Sequence, residues 1–173
     1  SSLWLFSASK EAFMTVHTAD VIIRFLDQYN THFEKLADFL LEKQNHILKD
    51  DLNWLEEALV DEQSYIMKGK SLEDKRLALF EQAGIKGVKL ADLPDFFPED
   101  YVAALGMQSD RLNKSIAKIK RINEISNDLV ERKLKVQAKL LGVNELTGIG
   151  AYSGDARFVK GGGSSGGDII GSV

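Results

Sequence analysis

Cysteine is absent from this chain, which excludes disulfide frameworks and thiolate chemistry and fits a reducing compartment. Proline is nearly absent: Pro94 and Pro98 are the only two, both in one connector. Glycine is scarce until Gly142, and ten of the fourteen glycines lie from that residue onward. A basic excess is missing as well. The net charge of -4 and pI near 5.4 argue against a protein whose main work is neutralising nucleic-acid phosphates. No apolar run approaches the roughly 20 residues that span a bilayer. The run Leu3 to Phe6 is far too short, and the start lacks the basic region and long apolar core of a signal peptide. The expectation is a soluble, cytoplasmic protein with no membrane insertion.

Catalytic signatures are missing too. There is no Gly-x-Ser-x-Gly elbow, phosphate loop or His-Glu-x-x-His motif, and the run Gly161 to Gly167 lacks the lysine and helix context of a nucleotide loop. Asp38, Glu42 and His46 are spaced i, i+4, i+8 and could line one helix face as metal ligands. Bundle di-metal sites, however, need a Glu-x-x-His pair on each of two helices, and the sequence supplies neither. These residues therefore read as a solvated polar face. Neither a cofactor nor an enzymatic activity is expected.

What is present is enough apolar material for one compact domain: 44% hydrophobic and 28% charged residues. Three segments are expected: residues 1–15 as an N-terminal extension, native or artificial, with Met14 as a candidate start; 16–142 as a helical bundle; and 143–173 as a flexible, glycine-rich tail.

From about Thr18, Ile22, Leu26, Tyr29, Phe33, Leu36 and Leu40 alternate in steps of four and three, the seam of a helix that buries one stripe. Thr18 is its expected N-cap, with Asp20 in the first turn. The seam weakens at Lys43 and resumes at Ile47. A turn near Lys49 follows, capped by Asp50 and Asp51, and a second helix carries Leu52, Leu55, Leu59 and Ile66 as its apolar stripe. Gly84 closes that helix in the left-handed conformation common at helix ends. Gly69 and Ser71, with Asp74 three residues on, predict a kink or restart inside it.

The connector from Gly84 to Pro98 holds Phe96 and Phe97, so it should pack over one end of the bundle. Pro98, Glu99 and Asp100 then mark a helix start. A third helix of about 40 residues, roughly 60 Å, carries Val102, Leu105, Leu112, Ile116, Ile119 and Val130, and extends as far as Leu140. The fold class is all-α: an elongated, coiled-coil-like antiparallel three-helix bundle with a flexible C-terminal tail. Ser109 and Asn123 interrupt the last seam. Asn123 is either a buried register residue or part of an open groove facing a partner, and Asn127 shares its face. The oligomeric state stays open, because the seam near Asn123 closes equally well against a second copy or a substrate.

Arg111, Lys114, Lys118 and Arg121 form a basic stripe on the third helix, while Asp61, Glu62, Glu73 and Glu81 enrich the second in acid. No aromatic platform accompanies the lysines, so a nucleic-acid partner is not expected. The tail has apolar islands at Leu146, Ile149, Tyr152, Phe158 and Val159, and again at Ile169 and Ile170. Such a segment buries too little surface to order itself; it either folds upon a partner, the reading preferred for Leu146 to Val159, or serves as a solubilising terminus with a Gly/Ser linker.

Four stretches together resemble FlgN-type flagellar export chaperones. They are the acid-led helix Asp51 to Leu59, the Leu72-Glu-Asp-Lys-Arg-Leu-Ala-Leu-Phe segment closing at Gly84, the Ile122-Asn-Glu-Ile-Ser-Asn-Asp-Leu-Val run, and Ala151-Tyr-Ser-Gly-Asp in the tail. The resemblance covers about Val16 to Arg157. It implies a cytoplasmic chaperone that keeps the hook-filament junction proteins unpolymerised and delivers them to the flagellar type III export gate. It implies further that Asn123, Asn127, Leu134 and Leu141 line a groove for the substrate's C-terminal helices, and that Tyr152 engages the export machinery. With Leu146, Ile149 and Phe158 these are the expected partner-binding residues. The residues alone also permit a coiled-coil adaptor unrelated to flagella, and more distantly a metal-dependent helical enzyme.

Overall fold

A computed structural model of the chain describes residues 14–142. Three long helices dominate: α1 (Val16–Leu48), α2 (Leu52–Gln82) and α3 (Val102–Leu140). Two short 3₁₀ turns, Leu90–Phe96 and Glu99–Tyr101, lie in the connector before α3. Among the described residues there is no strand. The fold is the all-α bundle expected from the heptads. The N-terminal prefix and the tail islands at Leu146, Ile149, Tyr152, Phe158, Val159, Ile169 and Ile170 lie outside the described residues.

Side-chain pairs give the direction of each helix. Between α1 and α2 the separations shrink toward the turn, from 44 residues for Tyr29 with Glu73 to 19 for Lys43 with Glu62, so these two run antiparallel. Between α1 and α3 they stay nearly constant: 81 residues for Tyr101 with Asp20, 77 for Arg111 with Glu34, 80 for Lys118 with Asp38 and 83 for Lys133 with Asp50. The chain therefore runs up, down and up. α1 is the central helix, packed on both others, while contact between α2 and α3 is slight.

Local chemistry explains the boundaries. Thr15, rather than Thr18, caps α1, its Oγ1 accepting from the Thr18 N–H at 3.1 Å. Hydroxyls three residues apart offer either start, and Asp20 instead accepts from the Tyr101 hydroxyl. At the α1–α2 turn Asp50 adopts φ 53°, and the Asp51 N–H returns to the His46 carbonyl at 3.0 Å, closing the last turn of α1. Asp51 then caps α2 by accepting from the Trp54 N–H at 3.2 Å. Gly84 (φ 73°) closes α2 in the same manner, with the Ile85 N–H on the Phe80 carbonyl at 2.8 Å.

Three expectations need correction. α2 runs unbroken through Gly69 and Ser71. The glycine serves packing instead, since a Cβ there would meet His32 Nε2 at 3.1 Å. The stripe that α2 turns inward is also different: Ala58 and Phe80 are buried, and Trp54, Tyr65 and Leu72 pack against the core, while Leu52, Leu59 and Ile66 are exposed. The aromatic stripe interlocks with α1, Tyr65 lying 5.0 Å from Phe39 and Trp54 stacking on His46 at 4.0 Å, contacts the aliphatic stripe cannot make. On α3 the seam runs through Leu105, Gln108, Leu112, Ser115, Ile119 and Ile122, so Ser109 and Asn123 each sit one residue beyond it. Val102 and Leu140 are exposed.

The connector covers one end of the bundle as expected. Ile85, Leu90, Leu93 and Phe97 are buried in the common core.

Candidate partner-binding surface

The lower half of α3 is committed to α1. The Asn30 amide, fully buried, donates to the Gln108 side chain at 2.7 Å and to the Gln108 carbonyl at 2.9 Å. Arg111 reaches Asp27 and Glu34 at 2.6 and 2.7 Å, and Lys118 reaches Asp38. Two members of the basic stripe are thus occupied by acids of α1, and Lys114 and Arg121 remain exposed. The Arg111 guanidinium, hydrogen-bonded to Glu34, holds that carboxyl below its ordinary value, and the two carboxylates hold Arg111 protonated. Such charge-assisted pairs fix the register of α1 against α3.

Three acids of α2 are engaged within the chain. Glu62 pairs with Lys43 at 2.8 Å and Glu81 with Lys86 at 3.3 Å. Glu73 takes Arg76 at 2.6 Å and accepts from the buried Tyr29 hydroxyl at 3.1 Å. Burial first, and then the charge of Glu73, push the Tyr29 phenol far up, so it remains a donor throughout the accessible pH range. The residues weighed as metal ligands are placed otherwise: Asp38 pairs with Lys118, and His46 stacks on Trp54 with its Nδ1 3.0 Å from Asp51.

The upper half of α3 differs. With a separation near 80 residues, Leu48 at the end of α1 lies level with about Leu129, and Lys133, paired with Asp50, makes the last ion pair to the α1–α2 turn among the described residues, with Ala138 beyond it still buried. About ten further residues continue to Leu140, roughly 15 Å of helix beyond α1. Asn123, Asn127, Leu134 and Leu141 follow one another by four, seven and seven residues, so they fall on one face along this half. Asn123 and Asn127 are exposed, which removes the buried register role considered for Asn123; that role belongs to Gln108 and Ser115. Leu134 is half-buried and Leu141 is 78% exposed. Val136 and Leu140 add exposed apolar surface at the same end. The sequence signal for them was the apolar trio Val136, Leu140 and Leu141 at the end of the third helix.

Among the described residues no helix is long and apolar enough to cross a membrane. Comparison with the curated proteins and with the solved structures gave no match. A family model described as "FlgN protein" matches residues 14–144, which takes in the whole helical body and both halves of α3. The chain belongs to the FlgN family of flagellar export chaperones.

Proposed function

We propose that the chain binds the C-terminal helices of flagellar hook-filament junction proteins along the upper half of α3, keeps them unassembled in the cytoplasm and delivers them to the export gate. The observation that carries this reading is the stretch of α3 beyond α1, where Leu141 and Leu140 stand exposed beside Leu134. An assembly protein with amphipathic terminal helices stays soluble when their apolar faces are occupied, and a helix laid against such a surface needs no nucleotide. In this reading the chain acts as a chaperone and not as an enzyme. In this reading Leu146, Ile149 and Phe158 close over the bound helix, and Tyr152 contacts the export machinery.

A pull-down with the C-terminal segments of the junction proteins tests it, using the full chain and a version ending at Gly142. Binding that is stronger for the full chain is expected. Equal binding by both sinks the role of the tail, and no binding by either sinks the reading.

A further inference from the structure

α2 carries two apolar stripes, and α1 takes only one. On its outer side Leu52, Leu59, Val60, Ile66 and Met67 are each at least half exposed, and α3 makes too little contact with α2 to cover them. Monomeric proteins seldom leave a contiguous apolar strip of this kind uncovered.

The order of residues along the strip says what covers it. Leu59 and Met67 stand four residues to either side of Gln63, Val60 and Ile66 three, and Glu56 and Lys70 seven. The spacings of three, four and seven put all of them on one helix face. If two such helices pack antiparallel about a two-fold axis at Gln63, Leu59 meets Met67, Val60 meets Ile66, and Glu56 meets Lys70, every pair occurring twice. Glu56 and Lys70 are exposed, and neither has an ion pair among the described residues. A parallel pairing would instead set Glu56 against Glu56 and Lys70 against Lys70. This self-complementarity is what an isologous interface requires.

We propose that this face joins two copies of the chain through antiparallel α2 helices centred on Gln63. From Leu52 to Leu77 the strip is about 38 Å long, and two helices packed over it bury an area of the order of the ~800 Å² per partner typical of stable complexes. The strip lies opposite the side of α2 that meets α1, so α3 stays open in both copies. The dimer does not depend on the flagellar partner.

Sedimentation velocity of the full chain at about 100 μM is expected to show a dimer. Ile66→Glu, and independently Met67→Glu, should raise the dissociation constant at least tenfold; both positions are exposed, and circular dichroism verifies that the helices persist. Glu56→Lys and Lys70→Glu should each weaken the dimer, and the two combined in one chain should restore it. Because the chain has no cysteine, a short thiol cross-linker should join Gln63→Cys chains. It should fail with Leu77→Cys chains, whose thiols lie about 42 Å apart across the axis.

A monomer at that concentration overturns the proposal, as does a dimer that both glutamate variants leave intact. A monomer in which Ile66→Glu exposes residues 143–173 to protease assigns the strip to that segment instead, and overturns it equally.

Discussion

At the scale of single residues, the contact between Gly69 and His32 shows how a position that reads as a helix break can be a packing device. His32 is buried against Tyr65 and Phe33, and a Cβ on residue 69 would sit 3.1 Å from its ring. Gly69→Ala gains about 1 kcal/mol of helix propensity and meets that crowding, so near-neutral stability is expected. Gly69→Val cannot be accommodated and should cost about 1–3 kcal/mol in urea unfolding. Burial, and then the charge of Lys68, lower the His32 pKa below 6.5. The unfolded chain thus binds the proton more readily, so stability is full above pH 6.5 and falls on acidification below it. The slope of unfolding free energy against pH in that window should flatten in His32→Gln. Two helix ends were legible at this scale because caps are local: Asp51 and Gly84 act where their sequence context puts them, while Thr15 takes the cap expected of Thr18. Gly69 was misread because its reason lies on another helix.

At the scale of elements, α1 was readable from Ile22 to Leu40, since its seam there is apolar at every step and it packs on both neighbours. α2 was not, because it has two apolar stripes and propensity does not say which one meets α1; the choice went to the aromatic stripe that fits Phe39 and His46. On α3 the true seam passes through Gln108 and Ser115, and polar residues there shift a pattern read by hydrophobicity alone. The burial of Gln108 has an energetic signature. Asn30→Ala removes the donor to both Gln108 acceptors and should destabilise by about 1–3 kcal/mol, whereas Asn30→Leu combined with Gln108→Leu should recover most of that in the same denaturation series. Arg111→Ala is expected to cost about 1 kcal/mol, because both carboxylates it holds are partly exposed, and the loss should shrink in 1 M salt. It should also change the acid limb. Glu34, held below 4.5 mainly by the Arg111 hydrogen bond, contributes stability that is present above 4.5 and lost as pH falls through its lower folded value. In Arg111→Ala that part of the pH dependence disappears.

At the scale of the molecule, the bundle is a scaffold tied together along α1 and left open where α3 outlasts it. Its lower half is fixed by Asn30, Arg111, Lys118 and the connector, and its upper half is tied by Lys133 to Asp50. Sequence order placed the site residues on one helix, but their alignment with the end of α1 depends on the parallel register that only the ion pairs disclose. The outer strip of α2 gives the molecule a second exposed apolar surface, on another helix from the one proposed to hold the partner. The central claim is that the free end of α3 holds the C-terminal helices of a junction protein. Titration calorimetry of such a segment into the full chain, into Leu141→Glu and into Leu59→Glu measures it most directly. The account predicts binding by the full chain, a loss of at least about tenfold, or 1.4 kcal/mol, in Leu141→Glu, and no change in Leu59→Glu. Undiminished binding by Leu141→Glu, with the loss in Leu59→Glu instead, would contradict it.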